Sequence, residues 1–415
     1  MTTGTHRNAI TFIFMTVLVD SIGFGIILPV MPELIMELTG VELSASAVYG
    51  GWLAFSFALV QFFCAPILGN LSDRFGRRPV LLFCLLAFGI DYIIMGSARS
   101  MAWLFAGRLV SGIAGASFTP AYACIADISP PDKRAQNFGL VGAAFGFGFI
   151  AGPAIGGLLG ALGPRAPFFA AATLALLNFA FGYFALPETL RPESRRAFDL
   201  KRANPLGTLL QMRKYPAVLG IAGAVFLWQL SHQVLPSTWA YFTMYRFGWS
   251  EAAVGASLAF AGAALVIGQG VLARRLIPAL GGERRAAVVG LLTGAAAYVG
   301  YATATAGWMV YAWMLTWFVV CLAYPSMNAL MSRQIPPSAQ GELQGGVASI
   351  YSLSSIVGPP IMTQLFGYFS SSRAPFRFPG AAFAASALMA LGSVTLLMLT
   401  ESIVPAASIA PVDTE

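Results

Sequence analysis

Three ionisable side chains stand inside runs that are otherwise apolar: Asp20 within FIFMTVLVDSIGFGIILPV, Asp91 within VLLFCLLAFGIDYIIMG and Arg108 within AWLFAGRLVSGIAGA. A charge held in hydrocarbon costs several kcal/mol unless it faces a cavity or meets a partner, so each of the three marks a functional site. The chemistry open to them is proton exchange. A carboxylate beside a guanidinium stays ionised, whereas one left in an apolar cavity readily takes up a proton and can trade it for a solute. The same residues also fit a permanent Asp–Arg pair that only holds helices together. Two acids for one base leave one carboxylate over, which favours the carrier reading for at least one of them.

Positioning those groups requires membrane helices. The chain of 415 residues is 57% hydrophobic and 10% charged, with a mean hydropathy of +0.74, a balance foreign to soluble domains. Apolar runs of about 20 residues place spans near 8–31, 46–68, 79–98, 101–125, 136–161, 166–187, 216–240, 250–272, 286–305, 307–331, 343–369 and 379–399. The expected fold is therefore an all-α membrane protein of twelve transmembrane helices. Of the 24 Lys and Arg, eighteen fall in the segments on one side, five on the other, and Arg108 within a span. The basic side is the cytoplasmic one, which puts both termini in the cytoplasm of an inner-membrane protein. On this frame Asp20 and Asp91 lie about 18 Å in from the cytoplasmic face and Arg108 about 20 Å, so the three share one layer.

Residues 188–215 carry seven Lys/Arg and two prolines and divide the spans into two blocks, 1–187 and 216–400, followed by a tail, 401–415. The blocks repeat. Pro130-Pro131, Gly139 and Gly152-Pro153 recur as Pro336-Pro337, Gly345 and Gly358-Pro359 at an offset of 206 residues. Such a duplication predicts two six-helix bundles related by an axis along the membrane normal, with a solute site between them near the midplane.

Several functions are disfavoured. The net charge of +7 sits in short loops, where it orients the chain, so nucleic acid is not the expected partner. The first apolar run is too long for a cleavable signal and contains Pro29. Cys64, Cys84, Cys124 and Cys321 all fall in apolar spans and read as packing residues, so neither a disulfide framework nor a metal site is expected. A GxxxxGK[ST] loop is absent, as are a metal-ligand cluster and a Ser-His-Asp set, so no cofactor is expected and the chain does not read as an enzyme.

Between the second and third spans lies GNLSDRFGRRP, residues 69–79, in which Gly69 and Gly76 permit a tight reversal and Asp73, Arg74, Arg77 and Arg78 keep the turn at the cytoplasmic surface. Gly112 and Gly115 follow Arg108 at i+4 and i+7, a small-residue groove along its charged face. In the fifth span Gly148, Gly152 and Gly156 form a stripe for close helix approach, and Pro153 makes that helix bendable. The second block has no deep acid or base. Its polar candidates for solute contact are Gln229, Gln233, Trp239, Gln269 and Asn328, with Gln229 and Gln233 on one helical face. His232 reads as an ordinary interfacial residue near the outer end of its span.

These pieces resemble the proton-coupled drug antiporters of the major facilitator superfamily, most closely the tetracycline-efflux family, over nearly the whole chain. The shared segments are DSIGFGIILPVMP from Asp20, GNLSDRFGRRP from Gly69, GRLVSGIAGA from Gly107, the pattern Gly139, Gly148, Gly152-Pro153, Gly156-Gly157, LPETL from Leu186, and GELQGGVASIYSLSSIVGP from Gly341. The resemblance implies that Asp20 and Asp91 are essential acids, that Arg108 is the buried base, and that Asp73, Arg74, Arg77 and Arg78 act in gating. Two positions depart from it: Gly294 stands where that family has an aspartate, and Leu265 where it has a histidine. Both are tied there to proton coupling and to the drug's bound metal, so a cargo other than magnesium-chelated tetracycline, or coupling confined to Asp20 and Asp91, is expected. The implied function is proton-driven export of an amphipathic drug-like solute by a protein expected to work as a monomer in the bilayer. Uptake or facilitated diffusion of a small metabolite is the alternative on the same fold.

Overall fold

The computed structural model describes residues 3–130, 133–199, 216–336 and 339–403. The landmarks Pro131 and Pro337, the later part of the linker (200–215) and the tail beyond 403 lie outside the described residues. In hydrocarbon each backbone N–H and C=O must be satisfied within its own segment, which long apolar runs achieve only as helices. The described helices are α1 (Thr3–Ile26), α2 (Met31–Thr39), α3 (Leu43–Phe75), α4 (Arg77–Gly96), α5 (Met101–Ala114), α6 (Phe118–Ile128), α7 (Arg134–Gly160), α8 (Ala166–Ala185), α9 (Pro216–His232) and α10 (Val234–Phe247). They continue as α11 (Glu251–Ile267), α12 (Ala273–Ala279), α13 (Glu283–Thr303), α14 (Gly307–Met314), α15 (Trp317–Val320), α16 (Ala323–Ser332), α17 (Gln340–Ser370) and α18 (Ala381–Ile403).

Where one span was expected, several helices are broken. The first bends by 48° between α1 and α2, around Pro29 and with Pro32 in the first turn of α2. The fourth is split by a 3-10 turn at Gly115–Ser117. The eighth contains a π turn, Gly268–Leu272. Among the described residues ten helices are long and apolar enough to cross a membrane, eleven when the bent first pair counts as one span, against the twelve expected. The remaining one, α17, has 31 residues and ample length. Ser349, Ser352, Ser354 and Ser355 with Pro359 and Pro360 make it too polar to qualify.

Two compact units emerge. Unit 1 comprises 1–205, 235–263 and 355–379; unit 2 comprises 206–234, 264–354 and 380–415. In unit 1, α1 packs along α7, α4 along α8, and α3 along α5. The glycine stripe makes the first of these contacts possible. A Cβ on Gly148 would lie 2.5 Å from Ser21 Cβ, one on Gly152 2.7 Å from Ile22 O, and one on Gly156 would run into the carbonyl of Ile26. In unit 2, α18 packs on α9 and α13, and Ser393 donates to the carbonyl of Ala224 at 2.7 Å.

Candidate functional site

Arg108 and Asp91 come together. Arg108 Nη2 lies 3.4 Å from Asp91 Oδ2, with both side chains buried, and the same nitrogen is 2.8 Å from Met95 Sδ. Helix α5 presents Arg108 from a face whose glycines are filled by α3. A Cβ on Gly112 would meet Val60 and Phe57, and one on Gly115 would meet Gln61 and Phe57. The guanidinium also stands 5.7 Å from the Phe57 ring centre. Among the described residues Asp91 Oδ1 and Arg108 Nε have no hydrogen-bond partner.

Asp20 is placed differently. Its Oδ2 accepts from Ser117 Oγ at 3.1 Å, and none of the described ion pairs includes it. It keeps 9% of its surface exposed while Asp91 keeps none. Ser117 reaches it because it closes the 3-10 turn between α5 and α6. Gln61 Nε2 on α3 donates at 2.8 Å to the carbonyl of Gly115 in that turn.

The loop between α3 and α4 is a folded unit of its own. Gly76 takes φ +109, a conformation that favours glycine, and a Cβ there would collide with the Glu188 carboxylate. Glu188 accepts from the backbone N–H groups of Arg77 at 2.9 Å, Arg78 at 3.3 Å and Leu190 at 2.9 Å. It thus satisfies the first turn of α4 and adds negative charge at its positive end. Arg77 donates to Asp73 Oδ1 at 2.5 Å, to Asp127 Oδ2 at 3.1 Å and to Ser72 Oγ at 2.7 Å. Arg78 donates to the carbonyl of Tyr183 at 2.6 Å, and Arg74 stands over the Phe75 ring. The start of the linker is fastened here too. Asn70 donates to Asp199 O at 2.6 Å and accepts from Asp199 N at 3.4 Å, and Arg196 N donates to Asp73 O at 3.0 Å.

The remaining candidates are scattered. Gly69 approaches Thr119. Gly139 faces open space, and Pro153 lies within an unbroken α7. Gln229 and Gln233 are buried, with Gln233 at the one-residue break between α9 and α10 in a single continuous span. Trp239 Nε1 donates to Ser257 Oγ at 2.9 Å. Gln269 is exposed in the π turn, and Asn328 accepts from Gln344 at 3.4 Å. His232 stands among aromatic rings. Its ring centre lies 5.2 Å from that of Trp317 and 6.0 Å from that of Trp228, and its Nδ1 is 3.4 Å from Tyr298 Oη. Leu265 packs beside Cys321 and Leu322. Trp228 covers Gly294: a Cβ there would lie 2.8 Å from the indole. Among the described residues no group of three or more His, Cys, Asp or Glu is arranged to hold a metal ion.

Sequence reasoning gave no role to Glu188, Asp127, Ser117, Gln61 or Asn70. Asp127, an acid at the end of an apolar run opposite a basic loop, carried a readable signal. Glu188 lay within the quoted LPETL segment. Ser117 and Gln61 become visible only once the fourth span is seen to break.

Charged groups buried among membrane-length helices, together with a charged, cross-braced loop at one end, define a polytopic membrane transport protein. The profile of the Major Facilitator Superfamily matches residues 13–281, and the chain belongs to that superfamily. It is 41% identical to the class C tetracycline resistance protein of Escherichia coli over 88% of this chain and 91% of that one. It is 39% identical to the class G tetracycline resistance protein of Vibrio anguillarum over 87% and 91%. The crystal structure of the human organic anion transporter MFSD10 (TETRAN) matches with a TM-score of 0.70 at 26% identity, covering 94% of this chain and 99% of that one. The chain is thus a multi-span membrane transporter for a small-molecule substrate and not an enzyme.

Proposed function

We propose that this transporter exports an amphipathic drug-like solute, of tetracycline type or other, in exchange for protons, across an inner membrane in which it sits as a monomer with both ends cytoplasmic. The observation that supports this most directly is the unequal state of the two acids: Asp91 neutralises Arg108, while buried Asp20 is in none of the described ion pairs and accepts from a serine hydroxyl. A carboxyl group in that situation changes its protonation without leaving a buried cation stranded. The names of the bacterial relatives supply the cargo class. Asp20 is the proton carrier, the Asp91–Arg108 pair holds α4 and α5 together, and Asp73, Arg74, Arg77 and Arg78 gate the cytoplasmic side with Gly69 and Gly76. Within the pattern of Gly139, Gly148, Gly152, Pro153 and Gly156, the residues from Gly148 onward keep the fifth span close against the first. Gln229, Gln233, Trp239, Gln269 and Asn328 are the polar candidates for solute contact. The driving force is adequate, since one charge crossing 100 mV yields about 2.3 kcal/mol and each pH unit adds about 1.4 kcal/mol.

The test is drug accumulation in cells. Expression is expected to lower accumulated tetracycline, a protonophore to restore it, and Asp20→Asn to abolish export while leaving the protein in the membrane. Uphill export by Asp20→Asn at the rate of the parent protein would refute the carrier role.

A further inference from the structure

Resting on that carrier reading, we propose that Ser117 is a positioning residue for Asp20, and that its hydroxyl sets the proton concentration at which Asp20 loads. Three features support it. Ser117 is 2% exposed and its Oγ lies 3.1 Å from Asp20 Oδ2, so water does not compete for the contact. The hydroxyl is delivered by the 3-10 turn Gly115–Ser117, where the fourth span leaves α-helical geometry. The turn is itself held from a second helix by the 2.8 Å hydrogen bond from Gln61 to Gly115 O, and Gly115 leaves no room for a side chain between its backbone and Gln61.

A serine hydroxyl both donates and accepts. Beside a carboxylate it donates, which favours the charged form; beside a carboxylic acid it accepts, a weaker contact of neutral groups. The bond therefore survives loading with its direction reversed, and its difference in strength between the two states biases Asp20 toward releasing its proton. Other titratable groups linked electrostatically to Asp20 are Cys84 and Tyr92, both on α4. On α7, the stripe that faces α1 is glycine.

Infrared titration of the purified protein in liposomes tests this without knowledge of the cargo. The protonated-carboxyl band that disappears in Asp20→Asn reports Asp20. In Ser117→Ala its midpoint is expected to move to higher pH by about one to two units, the equivalent of one hydrogen bond to a charged group. Ser117→Thr, which keeps the hydroxyl, is expected to restore the parent midpoint. Ser117→Cys, a side chain of similar shape with a weak donor, is expected to shift it the same way as alanine and serves if the alanine protein does not fold. An unchanged midpoint in the alanine or cysteine variant, with the band still lost in Asp20→Asn, overturns the role of Ser117 alone. A spectrum with no band dependent on Asp20 overturns the carrier reading as well.

Discussion

Arg108 meets Asp91 through a single 3.4 Å contact, with Arg108 Nε and Asp91 Oδ1 left without hydrogen-bond partners. The pair is thus held at one corner rather than fork to fork, the arrangement in which removing either member leaves the other charge buried alone. Asp91→Asn is expected to destabilise the protein by about 3–5 kcal/mol. The double variant Asp91→Asn/Arg108→Gln is expected to recover most of that loss. Thermal unfolding in detergent distinguishes the two. A double variant less stable than Asp91→Asn would show that the arginine is held by something other than the aspartate.

Gly152 and Gly156 touch the backbone of α1, the helix that carries Asp20, whereas Gly139 on the same helix faces open space. Gly156→Leu and Gly152→Leu are expected to force the helices apart, at about 1–3 kcal/mol or more each for overpacking. Gly139→Ala is expected to leave stability unchanged. The comparison uses melting temperatures of the three variants, and equal losses at all three positions would contradict the packing described.

Glu188 serves three backbone amides in two segments and stands against Gly76. Glu188→Ala is expected to cost about 1–2 kcal/mol, as for a lost helix cap. Gly76→Ala combines a strained φ of +109 with a collision against the same carboxylate. The double variant is expected to lose less than the sum of the single losses, because truncating Glu188 removes the carboxylate with which a side chain at 76 collides. Additive losses in denaturation would separate the two positions.

Trp228 occupies the space over Gly294. Gly294→Asp alone is therefore expected to unsettle the fold and to leave any tetracycline binding insensitive to magnesium. Trp228→Ala/Gly294→Asp opens room for the carboxylate. Calorimetry with and without magnesium reads the difference, and strong magnesium dependence in the unmodified protein would remove the significance of the missing acid.

The helices and the three buried charges were legible in the sequence because a run of 20 apolar residues and a charge within it are local facts. The choice between Asp20 and Asp91 as partner of Arg108 was not. The two acids lie at equal depth, and only the packing of α4 against α5 gives the pair to Asp91. The first and eleventh spans depart from the simple apolar run for opposite reasons: one is bent at Pro29, and the other is a long helix diluted by serines. The setting of His232 among Trp228, Trp317 and Tyr298 was not legible either, because it is made by residues up to 85 positions away in the chain.

The π turn at Gly268–Leu272 changes how the eighth span is to be read. Such a turn closes i→i+5 hydrogen bonds and behaves as one residue inserted into an α-helix. The heptad-style bookkeeping that would stack Gln269 over Leu265 therefore breaks at this point. Past it, each side chain is swung by about 100° from its nominal bearing. Excising one residue from this stretch would re-phase α12 relative to α11 and swing Arg274 and Arg275 away from their present bearing, so the direction in which this span displays its basic end rests on a single surplus residue.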